Sequence, residues 1–336
     1  MKKTLLHIIV IVLASVSVVK AQQFPLTTQY LFNPYALNPA MAGYFGNPEV
    51  FLNFRKDWTG ITGSPRTFRA NGFGNIYKNK MWLGGEIYSD KADLLNRFKL
   101  NISYSYILQV QNEQFFYFGV WTSFYQNSVN LDNLSGVDPN DPILVNQTKL
   151  NGSAFNAGFG INYNWRKLNI GIAFPTLFGT NEEYVTDLNF KMQREFLFYV
   201  SNIFELNDKW QLQAYSVFRK TKNQPLNFEI SVMPIYLQRF WGGLLYRNGG
   251  VLALNVGGLI YRGFVFNYSY EIGVGGINSR SGGSHEITIG YRFNMENDFW
   301  FGKQSSKNKK TYKTKGKRQP RNFYGYPKIM DYNLNR

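Results

Sequence analysis

From Phe98 to Leu108 the chain alternates without a break. Phe98, Leu100, Ile102, Tyr104, Tyr106 and Leu108 fall on one face, with Lys99, Asn101, Ser103 and Ser105 on the other. Phe155 to Trp165 repeats the pattern, setting Phe155, Ala157, Phe159, Ile161, Tyr163 and Trp165 against Asn156, Gly158, Gly160, Asn162 and Asn164. A period of two belongs to β-strands. Runs this long, with aromatics near their ends, suit strands that cross a membrane with one face in lipid and one toward a polar lumen. Half-buried strands of soluble sheets alternate too, but are usually shorter. The aromatics Phe98, Tyr104, Phe155, Phe159 and Trp165 are therefore expected outside, and Asn101, Ser103, Asn156 and Asn162 inside.

Continued along the chain, the pattern predicts strands at 49–57, 66–77, 81–89, 97–108, 115–128, 153–165, 168–175 and 193–206. Further strands follow at 210–220, 227–237, 240–247, 251–261, 264–273 and 284–294, about fourteen in all. Bacterial barrels have even strand numbers. The connections alternate in length. Tight turns fall at Lys78-Asn79-Lys80, Arg166-Lys167, Asn207-Asp208-Lys209, Gln238-Arg239 and Arg262-Gly263, with Val110 to Gln114 the loosest of this set. The intervening hairpins include the long stretches Asn130 to Gly152, Pro175 to Met192 and Gly275 to Gly283. Outer-membrane barrels have short periplasmic turns and longer external loops, which would put both termini in the periplasm.

One stretch before the strands follows neither period. Gln29 to Gly43 contains Asn33-Pro34 and Asn38-Pro39. Proline fixes φ, turns the residue before it away from the helical region, and suits the first position of a helix that an Asn caps. Two single-turn helices ending at Gly43 are expected. A short, capped, partly apolar segment ahead of a barrel reads either as a hatch in or under the lumen or as an irregular arm on the rim. As a hatch, residues 22–48 would place Tyr30, Phe32, Asn33, Pro34, Asn38 and Pro39 inside the periplasmic half.

Composition sharpens this picture. Lys2 and Lys3, the apolar run from Leu5 to Val19 and the small-residue site Val19-Lys20-Ala21 read as a signal peptide over residues 1–21. The run is short for a membrane helix, and no later apolar run approaches that length. Aromatics make up 18% of the residues and cysteine is absent. An exported chain of this size without disulfides relies on its architecture alone. The formal charge of +16 is concentrated at one end: from Lys303 onward eleven Lys and Arg stand against Asp331, a net +10. The leader's Lys2, Lys3 and Lys20 carry +3, which leaves +3 for the body.

Two separated motifs carry a family resemblance. After the Asn-Pro stretch comes Arg55-Lys56-Asp57-Trp58-Thr59-Gly60-Ile61 with Pro65. Near the end come Tyr268-Ser269-Tyr270-Glu271 and then Gly282-Gly283-Ser284-His285-Glu286-Ile287-Thr288-Ile289-Gly290-Tyr291-Arg292-Phe293. In this order they resemble the PorP/SprF family over Gln22 to Phe293. The resemblance implies a non-enzymatic outer-membrane barrel of the type IX secretion system. Such a barrel works with periplasmic and outer-membrane components of the secretion machine. It would bind, export or anchor a secreted surface protein, such as a gliding adhesin, through that protein or its C-terminal domain. The alternative is a fatty-acid-channel-like transporter of small solutes, since Asn-Pro-Ala occurs in those barrels too. The tail after Phe293 departs from the simplest family pattern.

Catalytic chemistry has little to stand on. His7 leaves with the leader, so His285 is the mature chain's histidine, and the adjacent Ser284 points to the opposite face of a strand. With no cysteine and one histidine, neither a metal site nor a cofactor is expected. Asp138, Asn140 and Asp141 could approach a cation, but Pro139 and Pro142 break the ligand spacing and favour a rigid turn. Arg55 and Trp58 form a candidate pore-lining or partner-binding cluster at the external rim, weighed against an interfacial Trp beside solvated charges. The tail, residues 295–336, combines basic residues including Lys309, Lys310, Lys317 and Arg318 with the aromatic end Phe323, Tyr324 and Tyr326. A periplasmic tail meets no nucleic acid. It reads as a solvated basic stretch whose aromatic end docks on a protein partner or, more weakly, on outer-membrane lipid.

Overall fold

The structure, a computed structural model, describes residues 27–131, 149–179, 181–184, 190–261, 263–274 and 282–293. The predicted leader and basic tail lie outside the described residues, as do Asp138, Asn140 and Asp141. Three single 3-10 turns come first, Gln29–Leu31, Pro34–Ala36 and Pro39–Met41. The strands then follow: β1 Glu49–Lys56, β2 Arg66–Tyr77, β3 Met81–Ala92, β4 Leu95–Gln111, β5 Gln114–Asn130, β6 Lys149–Trp165 and β7 Leu168–Thr176. A small pair, β8 Asn181–Tyr184 and β9 Phe190–Lys191, precedes β10 Glu195–Glu205, β11 Trp210–Thr221, β12 Asn227–Tyr236 and β13 Phe240–Arg247. The last are β14 Val251–Tyr261, β15 Phe264–Gly273 and β16 Ser284–Arg292.

Each of β1 to β7 and β10 to β16 pairs antiparallel with its neighbours in sequence, β7 pairs β10, and β16 returns to β1. The result is a closed barrel of 14 strands. Closure is what lipid demands, because an open edge there leaves unpaired backbone groups at several kcal/mol each. The β8–β9 pair stands outside the ring and meets β6 at Gly152 and Ser153. It occupies part of the long stretch for which the alternation pattern gave no strand. Its segments are too short for a period to be read.

The pleat sorts the residues as the alternation predicts. Phe98, Tyr104, Phe155 and Trp165 are exposed on the outer face, and Phe159 packs there against Phe174 at 5.6 Å. Asn101, Ser103, Asn156 and Asn162 are buried within. Ile102, Val120, Leu254 and Val256 lie more than half exposed on the outer wall. That exposure is normal for a surface whose solvent is hydrocarbon. Aromatics gather where this band ends. Trp165, Trp210, Phe240, Tyr261 and Phe264 flank the tight-turn end, and Trp58, Phe68, Phe98 and Phe155 the long-loop end.

β4, β5 and β6 are the tallest strands, each 17 residues, against 8 in β1 and β13. Their extra length projects at the long-loop end, where outward positions turn polar at Asn96, Gln126 and Ser153. The wall therefore leaves lipid where its outer face stops being apolar.

Arginine placed mid-band should be costly and at the projecting rim nearly free. Ile102→Arg is expected to destabilise the barrel by about 2–4 kcal/mol and Ser153→Arg by no more than about 1 kcal/mol. Denaturant unfolding in lipid vesicles checks both.

Candidate functional site

The bore is filled by the protein's own chain. From Thr27 to Pro48 the segment threads the lumen, starting near residues of the long-loop end and leaving at the tight-turn end. At its start Arg69 Nη1 donates to Thr27 Oγ1 at 3.4 Å, and the Thr28 N–H donates to Glu286 Oε2 at 2.9 Å. At its end the Phe293 N–H donates to the Pro48 carbonyl at 3.0 Å. Tyr30, Phe32, Asn33, Pro34, Asn38 and Pro39 are all buried.

The two Asn-Pro steps do different jobs. Asn38 caps its turn, accepting from the Ala40 N–H at 2.9 Å. Its amide nitrogen also reaches the wall, at 3.3 Å from the Ile161 carbonyl, 3.2 Å from the Ile172 carbonyl and 3.2 Å from Tyr199 OH. Asn33 makes no side-chain cap; its amide donates instead to Asn71 Oδ1 at 2.9 Å. The segment also forms three turns, where the two prolines alone suggest two, because Gln29–Leu31 closes its turn without one.

Other wall contacts surround the plug. Tyr30 OH donates to Glu229 Oε2 at 2.9 Å, Tyr35 OH shares a 2.7 Å hydrogen bond with Ser103 Oγ, and Ser105 Oγ donates to the Ala42 carbonyl at 3.1 Å. Phe32 stacks on Trp241 at 5.8 Å and meets Phe51 at 6.3 Å. The hydrophobic core is thus the plug against the inner wall, with Tyr30, Leu31, Phe32 and Leu37 among Tyr199, Tyr215, Leu245 and Trp241. Two wall glycines make room for it. A Cβ on Gly119 would collide with the backbone at Pro39 and Ala40, and one on Gly160 with the Asn38 side chain. Both glycines lie at inward positions of alternating strands, but no sequence signal says what approaches them.

Charged groups gather on two sides of the plug. On the wall formed by β1, β12, β13, β15 and β16, Arg55 is 3% exposed and pairs with Asp57 at 2.5 Å, Glu271 at 2.8 Å and Glu286 at 3.1 Å. Arg247 bridges Glu229 at 3.2 Å and Glu271 at 3.1 Å. Two guanidinium groups here face four carboxylates. On the opposite wall Lys99 pairs with Glu86 at 2.9 Å, Arg69 stands 3.6 Å from the same carboxylate, and Arg219 is 3.3 Å from Glu195. A cavity of about 70 Å³ opens there, lined in part by Thr27, Tyr88, Lys99, Trp121, Tyr125 and Arg219. At the seam Arg292 pairs with Glu49 at 2.7 Å, both fully buried, and donates to the Phe32 carbonyl at 3.3 Å.

Arg55 and Asp57 are therefore not solvated rim charges; they turn into the lumen and hold one another. Trp58 does sit exposed at the rim, with φ 47°, its N–H donating to Ser284 Oγ at 3.2 Å. His285 lies on the outer face, its Nδ1 2.7 Å from Tyr268 OH, while Ser284 faces inward. Strand parity keeps the two apart. Lys309, Lys310, Lys317, Arg318, Phe323, Tyr324 and Tyr326 lie outside the described residues.

The family model described as type IX secretion system membrane protein PorP/SprF matches residues 19–291. The chain belongs to the PorP/SprF family. Membership makes it an outer-membrane protein with a role in type IX secretion, working with components of that machine. No curated protein matches the chain. Among solved structures, the P. putida toluene transporter TodX is similar at 10% identity and TM-score 0.46, over 77% of this chain and 94% of that one. A Pseudomonas aeruginosa FadL homologue is similar at 11% identity and TM-score 0.44, over 80% and 95%. The NanC porin follows at 10% identity and TM-score 0.38, over 74% and 100%. These likenesses share the barrel and extend no further.

For this PorP/SprF barrel the plug contacts yield a direct test. Gly119→Val should displace the segment at Pro39 and Ala40 while the wall, bonded strand to strand, still closes. The variant should remain heat-modifiable on gels yet leak small solutes from liposomes several-fold faster than the parent. Removing one partner of a buried charge cluster typically costs about 3–5 kcal/mol. Arg55→Met should accordingly lower unfolding stability by about that amount, and a loss below about 1 kcal/mol would show the cluster to be hydrated.

Proposed function

We propose that this barrel acts without catalysis as an outer-membrane docking and anchoring partner. It binds a secreted surface protein such as a gliding adhesin, through that protein or its C-terminal domain, and helps export or retain it. The filled bore supports this reading. A polypeptide could pass through the lumen only by displacing a segment that is hydrogen-bonded and packed to several strands. A secretion role then falls to the rims and outer faces of the barrel. Trp58, exposed at the long-loop rim, is a candidate contact for the cargo or for lipid headgroups. Arg55 would serve indirectly, by holding Asp57 and the start of the rim loop.

In this reading the tight turns face the periplasm, and so does the chain after β16. Lys309, Lys310, Lys317 and Arg318 then steer an anionic periplasmic component of the machine, and Phe323, Tyr324 and Tyr326 anchor it. Charges screened beyond about 8 Å speed encounter more than they hold a complex, whereas desolvated aromatics slow its dissociation. Both termini are periplasmic in this reading, and the residues before Thr27 and after Phe293 lie outside the described ones. The transporter alternative is favoured only by the cavity beside Trp121 and requires a path past the plug.

Affinity capture of the full-length barrel from detergent-solubilised envelopes tests the docking reading. A secreted surface protein should be recovered with it, and cells lacking the barrel should lose that protein from their surface. Solute uptake into liposomes without any such capture would favour the transporter. Deleting residues 303–336 should leave the barrel heat-modifiable and reduce surface display. Normal display in that truncation would make the tail dispensable.

A further inference from the structure

Three cations stand side by side on the outer face where β1, β2 and β3 reach the long-loop end. Lys56 on β1 is directly opposite Arg66 on β2, and Arg66 is directly opposite Lys91 on β3. Strand alternation turns all three outward. Arg66 and Lys91 are exposed and Lys56 is half-buried, while their neighbours Arg55, Thr67 and Asp90 are buried in the lumen. Adjacent strands lie about 4.8 Å apart, so the row spans about 10 Å. Like charges directly opposite one another on a sheet are destabilising. Among the described residues nothing offsets them: none of the three forms an ion pair, and Asp93, exposed in the β3–β4 turn, pairs with none of them. Asp57 and Asp90, adjacent to Lys56 and Lys91 in the chain, face the lumen, where Arg55 and Arg97 hold them. Elsewhere on the same rim Lys220 is already bonded to the Gln224 carbonyl.

The row borders the apolar band directly. One outward step along the same strands, Phe54 is opposite Phe68, Phe68 is opposite Ser89, and Ser89 is opposite Phe98 of β4. Phe54, Phe68 and Phe98 are all exposed. Beside Lys56 the row continues as His285 on β16, whose ring lies 4.8 Å from that of Tyr270. A fitting ligand must therefore bring negative charge to three cations and hydrocarbon to the phenylalanines next to them. A free anion leaves the aromatic surface unused, and an acidic soluble protein would have to strip lipid from it. An anionic lipid standing against the wall meets both demands. Phosphate oxygens accept strong, charge-assisted hydrogen bonds from Arg and Lys, and three cations exceed what one phosphodiester charge neutralises.

We propose that Lys56, Arg66 and Lys91 form a binding site for a glycolipid of the outer leaflet that carries more than one phosphate, the class represented by lipid A. Its phosphates lie on the three cations and its acyl chains run along Phe54, Phe68 and Phe98. The choice of leaflet rests on the reading that the long loops face outward. The row itself does not, because its charge and its apolar neighbours follow from strand register alone.

The experiment titrates the full-length barrel in detergent with three probes, read by native mass spectrometry: bisphosphorylated lipid A, the same lipid dephosphorylated, and phosphatidylglycerol. Lipid A should bind, and each of the other two at least tenfold more weakly. The triple variant Lys56→Gln, Arg66→Gln, Lys91→Gln should lose at least tenfold in affinity for lipid A, with heat-modifiability confirming a folded barrel. Lys78→Gln with Lys80→Gln, at the tight-turn end of the same strands, should bind as the parent does. No binding of lipid A, equal binding of either comparison lipid, or full affinity in the folded triple variant would overturn the proposal. The comparison among lipids needs no variant, so misfolding of the triple variant does not remove the test. Orientation is checked separately: the chain has no cysteine, so Thr62→Cys in the exposed β1–β2 loop should react with an impermeant maleimide on intact cells. An unlabelled Thr62→Cys barrel would overturn the assignment to the outer leaflet even where lipid A binds in detergent.

Discussion

A wall immersed in lipid can satisfy its polar side chains on one side only. Within the lipid band the charges and amides of the strands must turn inward, and the lumen then becomes a crowded polar interior that needs partners of its own. Residues 27–48 meet that need. The segment brings Tyr30 to Glu229, Asn33 to Asn71 and Tyr35 to Ser103, and its apolar side chains cover Trp241, Phe51 and Tyr215. The plug is therefore as much the barrel's core as its stopper. This follows from the amount of polar and aromatic surface that the inner faces of the strands present to it.

How far the sequence exposed this arrangement depends on range. Period-two alternation needs only neighbours along the chain, so the ring of strands and the outward set Phe98, Tyr104, Phe155 and Trp165 were legible. Inward-facing charges such as Glu229, Arg247, Glu271 and Glu286 were equally visible as alternating positions, but their partnerships join residues far apart in sequence. Arg55 illustrates the gap. Read locally, Arg-Lys-Asp-Trp at the end of a strand looks like a solvated rim. Strand parity sends Arg55 and Asp57 inward instead, where the closing strand supplies Glu286. The glycines are the harder case. Gly119 and Gly160 look like ordinary small residues of a barrel wall, and only the approach of Pro39, Ala40 and Asn38 gives them a reason.

The Asn-Pro pairs show that one motif can take different roles. Both fix the backbone in the same way, because proline restricts φ and the residue before it. What the Asn side chain does next depends on its surroundings. At Asn38 the wall is thinned by Gly160, and the amide reaches strand carbonyls while its oxygen caps the turn. At Asn33 a wall amide, Asn71, competes successfully for the side chain.

Plug and seam are coupled through one residue. Arg292, on the last strand, pairs with Glu49 on the first, donates to the Phe32 carbonyl of the plug, and lies with its guanidinium 4.2 Å from the Phe45 ring. Glu49 and Arg292 are both buried in the closed barrel, where leaving either without the other would cost several kcal/mol. Closing the ring and seating the plug therefore favour one another thermodynamically. Each creates half of the environment in which Arg292 is satisfied. Because the segment leads directly into β1, which β16 pairs, the strand that closes the barrel is also the one that fastens its contents.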